Sequence, residues 1–167
     1  TYCGQNAGAW KLDRLGQGVR SCTLLGLIYS IAAFGAMLVF APQCAMLFLD
    51  PQEPQLQLLE SLTTQYIVAQ TAFFFPLALV NIVRFSIQGM GYSAFAVLAG
   101  VLEMGARTVV GCLLVPGFGY SAACFASPAA WICADLFLLP ACAFCIGRLR
   151  RLYHIRQPEL AEQGASG

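Results

Sequence analysis

Arg84-Phe-Ser-Ile-Gln88-Gly89-Met-Gly91, the apolar run from Tyr92 to Val115, and then Pro116-Gly-Phe-Gly119-Tyr and Ser127-Pro128-Ala-Ala-Trp131 form the stretch that decides the fold. Only Glu103 and Arg107 carry charge within the run. A run of this length suits a helix crossing a hydrocarbon core of about 30 Å, because each helical residue rises about 1.5 Å. An ionised group at that depth costs a few kcal/mol unless it is paired or wetted, so a chain that keeps two has a structural or functional use for them.

Composition points the same way. The chain is 59% hydrophobic and 10% charged, with a mean hydropathy of +0.70; soluble domains carry about 25% charged residues. A net charge of +1 argues against a nucleic-acid partner. Most of the eight cysteines lie in apolar runs, where they act as small hydrophobes. Cys142-Ala-Phe-Cys145 has C-x-x-C spacing, but His154 is the single histidine and no second cysteine pair completes a zinc site, so no metal is expected.

The expectation is an all-α polytopic membrane protein with four transmembrane helices, over about 21–41, 62–83, 92–115 and 128–147. Residues 1–20 read as a polar cytoplasmic loop and 148–167 as a basic, then disordered, cytoplasmic tail. Pro42 is expected to end the first span and Pro76 to kink the second. Pro116-Gly117 should stop the third, with Gly89 and Gly91 allowing the turn before it. Ser127 as N-cap and Pro128 at the first helical position should open the fourth, with Trp131 as an interfacial anchor. Along the third span Ala96, Gly100, Glu103, Arg107 and Gly111 share one helical face, which should meet protein or water.

Lys11, Arg14 and Arg20 precede the first span, Arg84 ends the second, and Arg148, Arg150, Arg151 and Arg156 follow the fourth. The loops 42–61 and 116–127 hold no Lys or Arg. The positive-inside rule places both ends in the cytoplasm, as an even number of spans requires.

Five motifs in order and spacing resemble the multidrug and toxic compound extrusion (MATE) transporters. They are Gln5-Asn6-Ala-Gly8-Ala9 with Arg14 and Gly18, Arg84 to Gln88-Gly89-Met-Gly91, Glu103 with Arg107, Pro116-Gly-Phe-Gly119, and Pro128-Ala-Ala-Trp131. The resemblance covers residues 5 to 131 and implies a twelve-helix antiporter of two six-helix lobes in the plasma (inner) membrane. Organic cations or drug-like molecules would leave in exchange for sodium ions or protons, with no other cofactor. The chain would supply the last four helices, and its partners would be the lipid bilayer, the N-terminal lobe and the first two helices of the C-terminal lobe. The first residue, Thr1, and the lack of a signal-peptide layout fit a piece of a longer protein.

Glu103 is the first candidate for a cation or proton site. The preferred reading is nevertheless an ion pair with Arg107 one turn away, since a permanently paired acid makes a poor proton exchanger. Asp135 either lines the cavity or reaches water at the outer interface. The second span, which the resemblance makes the tenth helix, offers Gln65, Tyr66, Gln70 and Asn81 but no carboxylate. Phe73-Phe74-Phe75 reads as packing more than as an aromatic drug surface. Arg84 and the basic tail read as topology signals more than as sites for anionic lipid. Alternatives are a flippase for a lipid-linked sugar, which a richly basic cavity would favour, and a small four-span membrane scaffold. No nucleophile, base and orienting group fall together, so no enzyme is expected.

Overall fold

In the computed structural model the described residues are the backbone of 1–50, 52 and 54–165, with side chains through residue 155. The elements are α1 (Tyr2–Gly8), α2 (Asp13–Met46), α3 (Leu56–Ala72), α4 (Phe74–Gly89), α5 (Ser93–Val109), a π-helical turn (Val110–Leu114), α6 (Val115–Phe118) and α7 (Tyr120–Ala165). Three helical stretches, Asp13–Met46, Ser93–Phe118 and Tyr120–Ile155, are long and apolar enough to cross a membrane. α3 and α4, which meet at a bend of 48°, add a fourth candidate only when taken together as one broken span. The fold is an all-α membrane fold.

α7 and α4 form the centre. Trp131, Ala134, Leu138, Ala141, Cys142 and Cys145 recur at helical spacing along one side of α7 and meet Val80, Val83 and Ile87 of α4, with Ala99 of α5 and Leu15 of α2. Small residues dominate this face, which lets the helices approach closely where apolar burial alone drives little association. Leu24, Leu25, Ile28, Tyr29 and Ile31 of α2 and Val97, Val101 and Met104 of α5 stay exposed.

Prolines place the breaks, though not at the residues expected. Pro76 has no N–H for the Ala72 carbonyl and its ring crowds the preceding turn, so the bend falls at Phe73, three residues ahead of the proline. Pro116 likewise cannot reach back to Cys112, and the π turn lies directly before it. The third span does not stop at Pro116-Gly117. It runs to Phe118, and the reversal is made at Gly119, whose φ of 62° suits a residue without Cβ. Pro42 does not end its helix, which continues through it to Met46.

The fourth helix starts at Tyr120, so 120–127 is helix where a loop was expected, and Ser127 and Pro128 lie inside α7. Trp131 is therefore well within α7 and buried against α4 instead of anchoring at an interface. Residues 1–20 are not a loop either, since α1 and the opening turns of α2 fill most of them. The tail expected to be disordered is helical to Ala165; residues 166 and 167, and Glu53 of the acidic loop, lie outside the described residues.

α1 docks at the end of α4. Cys3 and Asn6 face inward, Gly4 meets Gly89 backbone to backbone, and a Cβ on Gly89 would stand 3.1 Å from the Gly4 nitrogen. The turn itself uses Gly91, at φ 90°. Gly89→Val should push α1 off at a cost of about 1–3 kcal/mol, the usual penalty of overpacking. Maleimide labelling of the buried Cys3 should rise sharply; unchanged labelling would show that α1 is held elsewhere.

Candidate functional site

Glu103 lies on α5 with only 11% of its side chain exposed, and two arginines converge on it. Arg84 of α4 donates from Nη2 to Oε1. Arg107, one turn further along α5, brings Nη2 to 3.6 Å from Oε2. An arginine near a helix end ordinarily directs its guanidinium toward the interface. Arg84 sits about one turn before the end of α4 at Gly89, yet it reaches inward to a residue ten positions into the next span. The cluster holds two guanidiniums against one carboxylate, and the buried Arg84 Nε has no hydrogen-bond partner.

Arg84 is the partner that sequence reasoning missed. Its position at the end of a span matched a topology signal, and the Glu103–Arg107 spacing supplied a sufficient local pair. The crossing of α4 and α5 was the only clue to the third member. The expected stripe on α5 also divides. Ala96 and Glu103 are buried and Ala99 joins them, whereas Arg107 and Gly111 are exposed. The inward face of α5 is thus turned from the expected one toward α7 and α4.

Asp135 is 8% exposed and its Oδ1 has no hydrogen-bond partner. It lies on the inward side of α7 between Trp131 and Leu138, near the middle of the Tyr120–Ile155 stretch. Phe95 of α5 packs on Phe137 and Phe144 of α7, ring centroids 6.3 and 6.1 Å apart. In that antiparallel pair, Glu103 and Asp135 stand within about one helical turn of the same level. Two carboxylates thus share the interior, one bridged by arginines and one with an unpartnered oxygen.

The polar residues of the bent span do other work. Gln70 donates from Nε2 to the Cys124 carbonyl at 3.0 Å. That carbonyl is the one Pro128, without an N–H, leaves open in α7. Gln70 and Pro128 therefore form one unit joining α3 to α7, beside the Phe73–Phe125 edge contact at 5.9 Å. Gln70→Leu should leave a buried carbonyl unsatisfied and cost about 1–3 kcal/mol. Adding Pro128→Ala, which restores the backbone donor, should recover much of that in a denaturation midpoint; no recovery would mean that Gln70 acts through something other than this carbonyl.

Asn81 donates to the Leu77 carbonyl of its own helix at 2.8 Å. Gln65 is exposed. Tyr66 borders, with Gln70, Tyr29, Met37 and Phe74, a cavity of about 380 Å³ between α2 and α3. Of the motif residues, Asn6 bonds the Tyr2 carbonyl at 2.9 Å, while Gln5, Gly8, Gln88 and Pro116 are exposed. No group of His, Cys, Asp or Glu among the described residues is arranged to hold a metal ion.

No curated protein and no solved structure matches this chain. The MatE family model matches residues 1–113, which include α1, the bent second span, Arg84, Glu103 and Arg107. With apolar helices of membrane-spanning length around a buried charged cluster, that match over more than half of the chain shows that it belongs to the MatE family of membrane transporters.

Proposed function

We propose that this chain is part of a secondary active antiporter of the plasma membrane that exports organic cations or drug-like molecules in exchange for sodium ions or protons. Both of its ends would face the cytoplasm. The reading rests on family membership and on one observation, the unequal state of the two buried carboxylates. Glu103 is bridged by Arg84 and Arg107 and is suited to holding α4 against α5. Asp135 has an oxygen free to take a proton or a sodium ion. An ion that enters and leaves needs a carboxylate without a permanent counter-charge at membrane depth. Movement of α7 against α4 and α5 would then follow the state of Asp135, within the rocking of one lobe against the other.

The apolar and aromatic lining of the cavity at Tyr29, Tyr66 and Phe74 suits a flat organic cation, through ring faces in place of acids. A second reading, a flippase for a lipid-linked sugar, is favoured by one feature: Arg84 adds a second guanidinium to the interior, and a basic site suits a phosphate-bearing cargo. Efflux of a fluorescent cationic dye from vesicles holding the full-length protein, under an imposed sodium or proton gradient, separates the two. Gradient-dependent dye movement is expected. Its absence under either gradient, with movement of a lipid-linked sugar instead, would sink the antiport reading.

A further inference from the structure

A groove of about 450 Å³ runs along the basic end of α7, lined by Ala143, Phe144, Gly147, Arg148 and Arg151. The residues at 144, 147, 148 and 151 follow helical i, i+3, i+4, i+7 spacing, so apolar floor and basic rim lie on one face. The groove sits where the membrane interface should fall. Trp10 stacks on Tyr153 at 5.8 Å, and Arg148 lies over the Tyr92 ring, 5.9 Å from its centroid; amphipathic rings of this kind gather at headgroup level. Phe144, packed on Phe95, marks the hydrocarbon side.

Neither Arg148 nor Arg151 has a carboxylate within ion-pair distance among the described residues, whereas Arg150 between them points to Asp13 at 3.9 Å. The Tyr92 ring holds the Arg148 guanidinium in place while leaving its N–H donors free. Gly147 opens the floor, since nothing lies within 4 Å of where its Cβ would be. Two uncompensated guanidiniums above an apolar trough are complementary to an anion that carries an apolar chain.

We propose that this groove is a binding site for one anionic phospholipid, whose phosphate is held by Arg148 and Arg151 and whose acyl chain lies over Gly147 against Phe144. The site is separate from the Arg84–Glu103–Arg107 cluster and from Asp135, and it does not depend on what the protein transports.

The test is native mass spectrometry of the detergent-purified full-length protein with added phosphatidylglycerol, phosphatidylcholine or inorganic phosphate. Phosphatidylglycerol adducts should survive detergent release, phosphatidylcholine should not replace them, and millimolar inorganic phosphate should compete weakly because it lacks the chain. Arg148→Gln and Arg151→Gln should each lower retention about fivefold, as expected for one basic residue at an anionic surface. Gly147→Leu, which fills the trough and leaves every charge in place, should lower it comparably. Arg150→Gln should leave it unchanged and controls for loss of charge at this helix end. Equal retention by all four variants would overturn the proposal, as would full displacement by free phosphate. Retention lost with the arginines but kept in Gly147→Leu would reduce the site to a surface charge and overturn it too. A groove that takes no lipid in the parent because another segment covers it would do the same.

Discussion

Replacing Glu103 with alanine should be among the most damaging single changes in this chain, costing about 3 kcal/mol or more, because it strands an arginine held inside the bundle. Its partners do not contribute equally. The Arg84 side chain is 22% exposed and that of Arg107 45%, so water screens the second and relieves its loss. The expected order of destabilisation is Glu103→Ala, then Arg84→Leu, then Arg107→Leu. The double change Glu103→Leu with Arg84→Leu should recover most of the loss, because an apolar pair can replace a buried ion pair at little cost. Denaturation midpoints of the full-length protein in detergent, combined in a double-mutant cycle, measure the coupling. If Arg107→Leu costs as much as Arg84→Leu, the contact across α4 and α5 is not the stronger one and the local helical pair carries the stability.

Asp135→Asn should have the opposite signature, with normal abundance and stability but a loss of gradient-driven dye efflux of about tenfold or more. Asparagine keeps the shape of the side chain and removes the group that would exchange an ion. Because Oδ1 already lacks a partner, the substitution breaks no hydrogen bond at that oxygen and fills no space. Asp135→Glu, which restores the charge on a longer stem, should return part of the activity. Two outcomes would end the proposed coupling role. One is full transport by Asp135→Asn. The other is transport lost in step with abundance, which would make Asp135 a packing residue. The contrast with Glu103 is the sharper test: Glu103→Gln should lower abundance while the surviving protein still transports.

The membrane class and the family were legible along the chain. Each rests on features that a bilayer imposes locally: hydrocarbon-length apolar runs, sparse charge, and motifs at fixed spacing. The ends of the helices were less legible. Pro42 and Pro128 look like boundaries in a linear reading, yet in the folded chain the helices run on through them. For Pro128 the reason is Gln70, distant in sequence, which gives the orphaned Cys124 carbonyl a donor. A proline within a membrane helix is tolerated where another group satisfies the freed backbone carbonyl, as Gln70 does here.

The composition of the interior site was visible in part, since Glu103, Arg107 and Asp135 stood out as charges inside apolar sequence. Arg84 did not, because its place near the end of α4 had a sufficient explanation in topology. Only the antiparallel crossing of α4 and α5 turns it toward Glu103, and only the packing of α7 buries Asp135 without a partner. The sequence by itself determined that charge stands within apolar stretches of hydrocarbon length, because side-chain chemistry and run length are properties of the chain. Tertiary structure decided which charge is neutralised and which is left free, because a counter-charge acts only over the few ångströms that helix packing sets.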